Sequence, residues 1–397
     1  MISFDDELNQ RLVKIREQNL FRELRRVDSP QSPRIQIGGK TFLNFSSNDY
    51  LGLANDPILK TAAIRAIEKF GVGSGASRLI CGSLAPHHEL EAALANFKKT
   101  EAALTFSSGY ATAIGTICAL SDKSDIIILD KLIHASIVDA AKLSGAKLRI
   151  FAHNNLNHLE DKLIWARKNL KSATGNRQPA ILIVTESIFS MDGDAAPLRE
   201  IVELKTKYGA RLMVDEAHAT GIFGQNGRGL AEELGANDQT EIQMGTLGKA
   251  LGASGGYICG SRALIDFLVN RARSFIFSTA TVPAAAAAAT AAIQFVQSAA
   301  GEARRAILKQ RISELNLKLK ITNSKLQSAI IPIILGDESQ TILAAAKLRE
   351  QNIFVPAIRY PTVAHGAARL RVTLTAAHSA ENISELIDAL KALDMGL

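Results

Sequence analysis

The chain has 397 residues, 47% hydrophobic and 21% charged, with a formal net charge of +7. That length accommodates two domains and a sizeable core, and the composition has the profile of a soluble globular protein. The positive charge is scattered, with no basic run interleaved with aromatics and no nucleic-acid motif, so nucleic acid is not an expected partner.

In chain order, Met1–Arg26 mixes Asp, Glu, Lys and Arg through an amphipathic pattern. It lacks the apolar core and cleavage site of a signal peptide. Residues 1–45 read as an N-terminal arm, 46–290 as a large domain and 291–397 as a small C-terminal α+β domain. Gly71–Arg78 is a glycine-rich loop that matches neither the P-loop nor the dinucleotide fingerprint.

Strands are predicted at Ala103–Phe106, Asp125–Leu129, Ile181–Thr185, Arg211–Val214, Ile242–Met244 and Gly256–Cys259. Helices are predicted near Tyr110–Leu120, His134–Ser144, Pro197–Tyr208 and Arg262–Ala272. Runs such as Ile126-Ile127-Ile128-Leu129 are apolar throughout, which suits strands buried on both faces of a mostly parallel α/β sheet. Ser278–Ala300 carries no charge, but it is mostly Ala and Thr with Pro283 near its start. Alanine is too weakly apolar to drive membrane insertion, so this predicts an internal helix and no membrane span. Beyond it come a basic helical stretch, Glu302–Lys320, then Ser328–Leu335, a helix at Ser339–Gln351, and strands at Phe354–Ile358 and Ala368–Leu374. Cys81, Cys118 and Cys259 lie far apart, without zinc spacing or a dense disulfide framework, and imply a reducing cytoplasm.

The chemistry-bearing residues follow the predicted strands, where α/β sheets place ligands. Lys249 lies in Gly245-Thr246-Leu247-Gly248-Lys249-Ala250-Leu251-Gly252, 34 residues after Asp215 in Met213-Val214-Asp215-Glu216-Ala217-His218. Together they offer an amine that can form an imine, a carboxylate for a pyridine nitrogen and an imidazole. That set can hold pyridoxal phosphate. Taken singly, each has an ordinary reading: a surface lysine, a helix-capping aspartate, a satisfied histidine.

Phe106-Ser107-Ser108-Gly109-Tyr110 joins a strand to a helix, where amides bind phosphate; an ordinary capped turn is the alternative. His134 follows another strand and could stack on a ring or be structural. Thr185–Asp194, which contains Ser190, is dense in polar groups. Arg369 and Arg371 alternate on a strand, so one could clamp a carboxylate, or both could be solvated charges.

This combination resembles the α-oxoamine synthases, pyridoxal-phosphate enzymes of the aspartate aminotransferase-like fold (fold type I). The match runs from about Leu20 to His378. It rests on Leu43–Leu53, on Phe189-Ser190-Met191-Asp192-Gly193-Asp194, on Val355–Val363 and on Ala368–His378. The resemblance implies a large domain with a mostly parallel sheet plus a small C-terminal domain. It implies a Schiff-base and acid/base lysine at Lys249, a ring-nitrogen partner at Asp215, a 3′-oxygen contact at His218 and a ring stack at His134. Gly109, Tyr110, Ser190 and Thr246 would complete the cofactor site. Ser278 and Thr279 match positions that reach the phosphate from a neighbouring subunit, implying a homodimer with shared active sites. Asn48 and Arg371 would engage the amino-acid carboxylate, and Arg22, Arg359 and Thr362 the acyl substrate. No metal is implied.

Within the family the chain is most similar to the member that condenses L-alanine with pimeloyl-CoA or pimeloyl-acyl-carrier protein. Sister enzymes use glycine with acetyl-CoA or succinyl-CoA, or serine with a long acyl-CoA. A catalytically silent partner subunit of the same fold would be expected to lack Lys249. One departure stands out. The family pattern Pro-Pro-Thr-Val-Pro-x-Gly reads Tyr360-Pro361-Thr362-Val363-Ala364-His365-Gly366 here. Loss of a proline at Ala364 loosens that loop and bears on acyl-chain preference.

Overall fold

The structure is a computed structural model and describes residues 2–170, 178–319 and 328–393. The strands, in chain order, are β1 (Arg34–Ile37), β2 (Lys40–Asn44), β3 (Ala102–Phe106), β4 (Ile126–Asp130), β5 (Lys147–Phe151), β6 (Ile181–Glu186) and β7 (Arg211–Asp215). They continue with β8 (Ile242–Thr246), β9 (Gly256–Gly260), β10 (Ile330–Gly336), β11 (Ile353–Phe354), β12 (Ala357–Ile358) and β13 (Ala368–Thr373). The chain divides into a larger unit, Asn48–Ser190 with Asp194–Ile307, and a smaller one, Met1–Ser47 with Met191–Gly193 and Leu308–Leu397.

Seven strands of the larger unit form one sheet in the order β3-β9-β8-β7-β6-β4-β5. The run from β5 to β8 is parallel, and β9 is antiparallel to both β8 and β3. Every residue of β4 and β6 is buried, as their unbroken β-branched and leucine runs require. On one face Ile127, Leu129, Val184 and Met213 share a core with Ile117 and Ile137 of the helices Gly109–Leu120 and Ala135–Leu143. Each such side chain contributes about 1.5–3 kcal/mol by leaving water. Because the strands are parallel, β4, β6, β7 and β8 end on one edge. Their last residues are Asp130, Glu186, Asp215 and Thr246. Four apolar strands therefore deliver four polar groups to one place.

The Ala-rich stretch is the helix Pro283–Val296, with Ala286, Ala288, Ala289 and Ala292 buried. It packs on the helices Pro57–Phe70 and Ala85–Lys98. Small side chains let helix axes approach closely. Among the described residues no helix is long and apolar enough to cross a membrane.

The sequence reading omits β5, whose Lys147 and Arg149 interrupt the apolar signal at a sheet edge. It also joins Phe354–Ile358 into one strand. The structure breaks that segment into β11, which pairs with β2, and β12, which pairs with β13. Pro356 sits at the break and has no N–H for a ladder. The basic helix spans Ala299–Lys318, and Lys320 lies outside the described residues.

In the smaller unit β1, β2 and β11 form one sheet, and β10, β13 and β12 another. His378 stacks on Phe45 at 4.5 Å, and its ring nitrogens meet the Asn44 carbonyl at 2.9 Å and the Thr375 amide at 2.9 Å.

Candidate active site

Asp215 closes β7 and is buried, its Oδ1 accepting the Ala217 amide at 2.9 Å. Burial pushes its pKa up, opposed by the charges of Lys249 and His134 and by that amide. A desolvated carboxylate of this kind is stabilised by a cationic N–H, which is what a protonated ring nitrogen offers.

The turn after β7 brings His218 inward. Its Nδ1 lies 2.6 Å from the Tyr50 hydroxyl and its Nε2 lies 2.7 Å from Lys249 Nζ. Tyr50 Oη also reaches Asn48 Oδ1 at 3.3 Å. Lys249 sits in the turn after β8. Gly252 permits that turn: its φ is +61°, and a Cβ there would fall 2.5 Å from the Ala54 amide nitrogen. Gly248 is under no such demand, since its nearest neighbour would be an ordinary 3.5 Å away.

His134 caps the helix Ala135–Leu143 through Nδ1, which accepts the Ser136 amide at 3.2 Å. Burial lowers its pKa, with Asp215 opposing and Lys249 adding to the effect, so it is held as a neutral ring. A neutral flat imidazole can stack on an aromatic cofactor.

Ser108 caps the helix Gly109–Leu120, accepting the Ala111 amide at 3.1 Å. Gly109 and Tyr110 occupy its first turn, where unpaired amides and the helix dipole favour phosphate. Thr246 ends β8 nearby, since a Cβ on Gly109 would lie 3.9 Å from Thr246 Cβ. The Tyr110 side chain is half exposed, its hydroxyl donating to Asp139 at 2.9 Å. Ser278 and Thr279 line a small cleft with Arg78 and Ser107, and Thr279 bridges to Ser77.

Ser190 is buried in the loop after β6. The last residue of that strand, Glu186, was not singled out from the sequence. Burial and the neighbouring Asp215 charge hold its pKa well above the usual range, and its Oε1 is buried without a hydrogen-bond partner. The charge of Lys249 and the backbone of His134 and Ser190 pull that pKa down. The signal was present, because Glu186 ends an apolar strand as Asp215 does. Tyr50 was likewise not singled out, and nothing local marks its partner 168 residues away.

The remaining residues belong to the smaller unit. Arg371 is buried on β13 and donates to Thr373 Oγ1 at 2.9 Å. Arg369 shares its face, as the alternation requires, but is tied to Asp192 at 2.5 Å and to the Met191 carbonyl at 3.2 Å. Arg359 donates to the Phe21 carbonyl at 2.9 Å, and the Thr362 amide donates to the Arg359 carbonyl at 3.0 Å. Burial and the nearby charges of Arg22 and Arg25 lower the Arg359 pKa.

The set fits pyridoxal phosphate by its donors and acceptors. It presents an amine, a buried carboxylate, a neutral flat imidazole and a helix N-terminus around the carboxyl ends of parallel strands.

Comparison with known proteins agrees. The model of the family described as aminotransferase class I and II matches residues 40–390. An 8-amino-7-oxononanoate synthase of Anaeromyxobacter dehalogenans is 46% identical over 391 residues, covering 98% of this chain and 95% of the relative. That of Geotalea daltonii is 46% identical over 393 residues, covering 98% and 97%. A solved serine palmitoyltransferase from S. paucimobilis, with a bound PLP–myriocin aldimine, has a TM-score of 0.90 at 30% identity and covers 98% of both chains. The 8-amino-7-oxononanoate synthase of Francisella tularensis has a TM-score of 0.73 at 30% identity, covering 88% of this chain and 97% of that one.

Proposed function

As the chain belongs to the aminotransferase class I and II family, in its α-oxoamine synthase branch with the fold type I architecture, we propose that it is an 8-amino-7-oxononanoate synthase. It condenses L-alanine with pimeloyl-CoA or pimeloyl-acyl-carrier protein. The Cα–H, Cα–carboxylate and thioester C–S bonds break, one C–C bond and a new Cα–H bond form, and the departing thiolate takes up a proton, releasing CO2 and the thiol. The observation that carries this reading is the Lys249–His218 contact beside buried Asp215, in a chain 46% identical to such synthases.

Pyridoxal phosphate, when bound, supplies a protonated ring that accepts the electrons of a broken Cα bond. Asp215 keeps the ring nitrogen protonated. His134 would cover one face and His218 would hold the 3′ oxygen, with Ser190 completing the cofactor site. Gly109, Tyr110 and Thr246 bind the phosphate, with Ser278 and Thr279 of a second copy in a homodimer. Lys249 removes the alanine Cα proton and returns one after CO2 has left. His218 is placed to exchange a proton with Lys249 Nζ, and Tyr50 fixes the imidazole. The resemblance assigns Asn48 and Arg371 to the amino-acid carboxylate and Arg22, Arg359 and Thr362 to the acyl group.

A second reading, serine with a long acyl thioester, draws on the higher TM-score of serine palmitoyltransferase. Backbone shape is shared across these reactions, whereas the side chains that select substrate follow sequence. The identity of 46% to the Anaeromyxobacter and Geotalea oxononanoate synthases against 30% to the palmitoyltransferase supports the first reading. Addition of L-alanine, glycine or serine to the cofactor-loaded protein tests it. L-Alanine should perturb the cofactor absorbance at the lowest concentration; a response to serine alone would exclude the proposal.

A further inference from the structure

His153 follows β5 and is part of none of the assignments above, yet both of its ring nitrogens meet carboxylates. Nδ1 lies 2.9 Å from Asp130 Oδ1, and Nε2 lies 2.7 Å from Asp194 Oδ2. The Asp130 side chain is fully buried, while those of His153 and Asp194 are 23% and 32% exposed. Two carboxylate acceptors require both nitrogens to carry protons, so the ring is an imidazolium. Burial pulls its pKa down, but the hydrogen bonds and charges of Asp130 and Asp194 outweigh this and raise it to about 10. The ring also stands edge-on to Phe189, with centroids 4.4 Å apart and planes at 89°.

Each carboxylate anchors a different piece of the candidate site. Asp130 ends β4, and its Oδ1 also accepts the Leu132 amide at 2.8 Å, shaping the turn that delivers His134. Its Oδ2 accepts the Asn154 amide at 3.0 Å. Asp194 closes the other piece, because its carbonyl accepts the Phe189 amide at 3.0 Å and Ser190 follows directly. Asn154 reinforces the join, donating from Nδ2 to Asp194 Oδ2 at 2.9 Å and to the Ala195 carbonyl at 3.1 Å. The cation therefore spans the gap between the turn that carries His134 and the segment that carries Ser190.

We infer that His153 is a positioning residue: a charged staple between Asp130 and Asp194 that fixes the spacing of His134 and Ser190 around the cofactor. The inference rests on the pyridoxal-phosphate reading of the site and goes beyond it, since that reading gives His153 no role. Neutral substitution leaves the fully buried Asp130 carboxylate and the partly buried Asp194 carboxylate beside each other, and their repulsion separates the two segments.

The test is pyridoxal-phosphate affinity of the apoprotein by absorbance titration, with circular dichroism of the bound cofactor and thermal unfolding of the apoprotein measured alongside. His153→Gln should weaken cofactor binding about tenfold or more, equivalent to about 1.4 kcal/mol, and alter the cofactor dichroism. Asp194→Asn keeps the side-chain shape and should give a smaller loss. The double variant should be no weaker than His153→Gln alone, because the two act as one unit. A lowered melting temperature with wild-type affinity and dichroism in both single variants would overturn the inference and leave the cofactor reading intact. A wild-type chain that takes up no pyridoxal phosphate would overturn both.

Discussion

Lys249 Nζ stands 2.7 Å from His218 Nε2, while the opposite nitrogen of the same imidazole stands 2.6 Å from the Tyr50 hydroxyl. The imidazole joins amine and phenol, and its tautomer follows the charge on the amine. When Lys249 is cationic it donates to Nε2, so a proton on Nδ1 faces Tyr50. When Lys249 is neutral it can accept from Nε2–H, and Tyr50 donates to Nδ1. In the acid/base role proposed for Lys249, the contact gives it an adjacent group with which to exchange a proton.

Lys249→Ala should abolish turnover, with a loss of at least about a thousandfold, as expected for removal of an acid/base group that also forms a covalent bond. Borohydride followed by intact-mass measurement is the direct check. Wild-type chain should retain cofactor mass after denaturation and the variant should not. Retention by the variant would place the imine at another lysine.

Tyr50→Phe removes the hydroxyl from buried His218 and leaves a ring nitrogen short of a partner, at a cost of about 1–3 kcal/mol. The melting temperature should fall. The turnover rate should fall more than the KM for L-alanine rises, because the His218 ring loses its orientation. Unchanged kinetics with a lowered melting temperature would make Tyr50 a packing residue only.

Behind Asp215 lies a pair whose side chains are both fully buried, Lys98 Nζ to Glu216 Oε2 at 2.5 Å. Gly229 makes room for it, since a Cβ there would fall 1.9 Å from Glu216 Oε2. Lys98→Met strands a buried carboxylate and should destabilise the apoprotein by about 3–5 kcal/mol. Lys98→Met combined with Glu216→Gln should recover part of that. Urea unfolding of the two variants and the wild-type chain measures it, and equal losses in single and double variants would contradict the coupling.

The fold was legible in the sequence wherever apolar runs were unbroken. β4, β6, β7 and β8 show as strands because both faces are buried, and Asp215 is visible because a carboxylate directly after such a run is conspicuous. β5 was missed because an edge strand mixes Lys and Arg into its pattern, and the β11–β12 break because pairing with two different sheets is not a local property. In the site, Lys249, His134 and Ser190 could be named from their segments, as could Asp215 and His218. Tyr50 and His153 could not. Their importance lies in partners 168 residues away for Tyr50 and 41 for His153, and no spacing encodes a tertiary contact.

The acid limb of the stability profile should report His378. Burial lowers its pKa, against the Asn44 and Thr375 backbone contacts, to about 4 from the ordinary 6.5. Between those values the unfolded chain binds the extra proton, so stability is lost as pH falls from about 6.5 towards 4 and levels off below. The span is worth about 3 kcal/mol at most. His378→Gln should flatten that part of the pH profile of unfolding free energy; an unchanged slope would assign the loss to other groups.

Arg359→Ala should raise the KM for the pimeloyl thioester about tenfold and leave the KM for L-alanine within about twofold, the loss of one charge-assisted hydrogen bond to the acyl substrate. Steady-state kinetics with each substrate varied in turn measures both. Equal effects on the two would remove Arg359 from acyl recognition.

The most direct measurement follows the carboxylate of L-alanine. The cofactor-loaded protein is supplied with carboxyl-labelled L-alanine and pimeloyl-CoA, and labelled CO2, free thiol and the amino-ketone product are quantified together. The expected result is one labelled CO2 and one thiol per 8-amino-7-oxononanoate formed, with none of the three when either substrate is omitted. Label retained in pyruvate, or thiol released without CO2, would show amino-group transfer or simple thioester hydrolysis and contradict decarboxylative condensation.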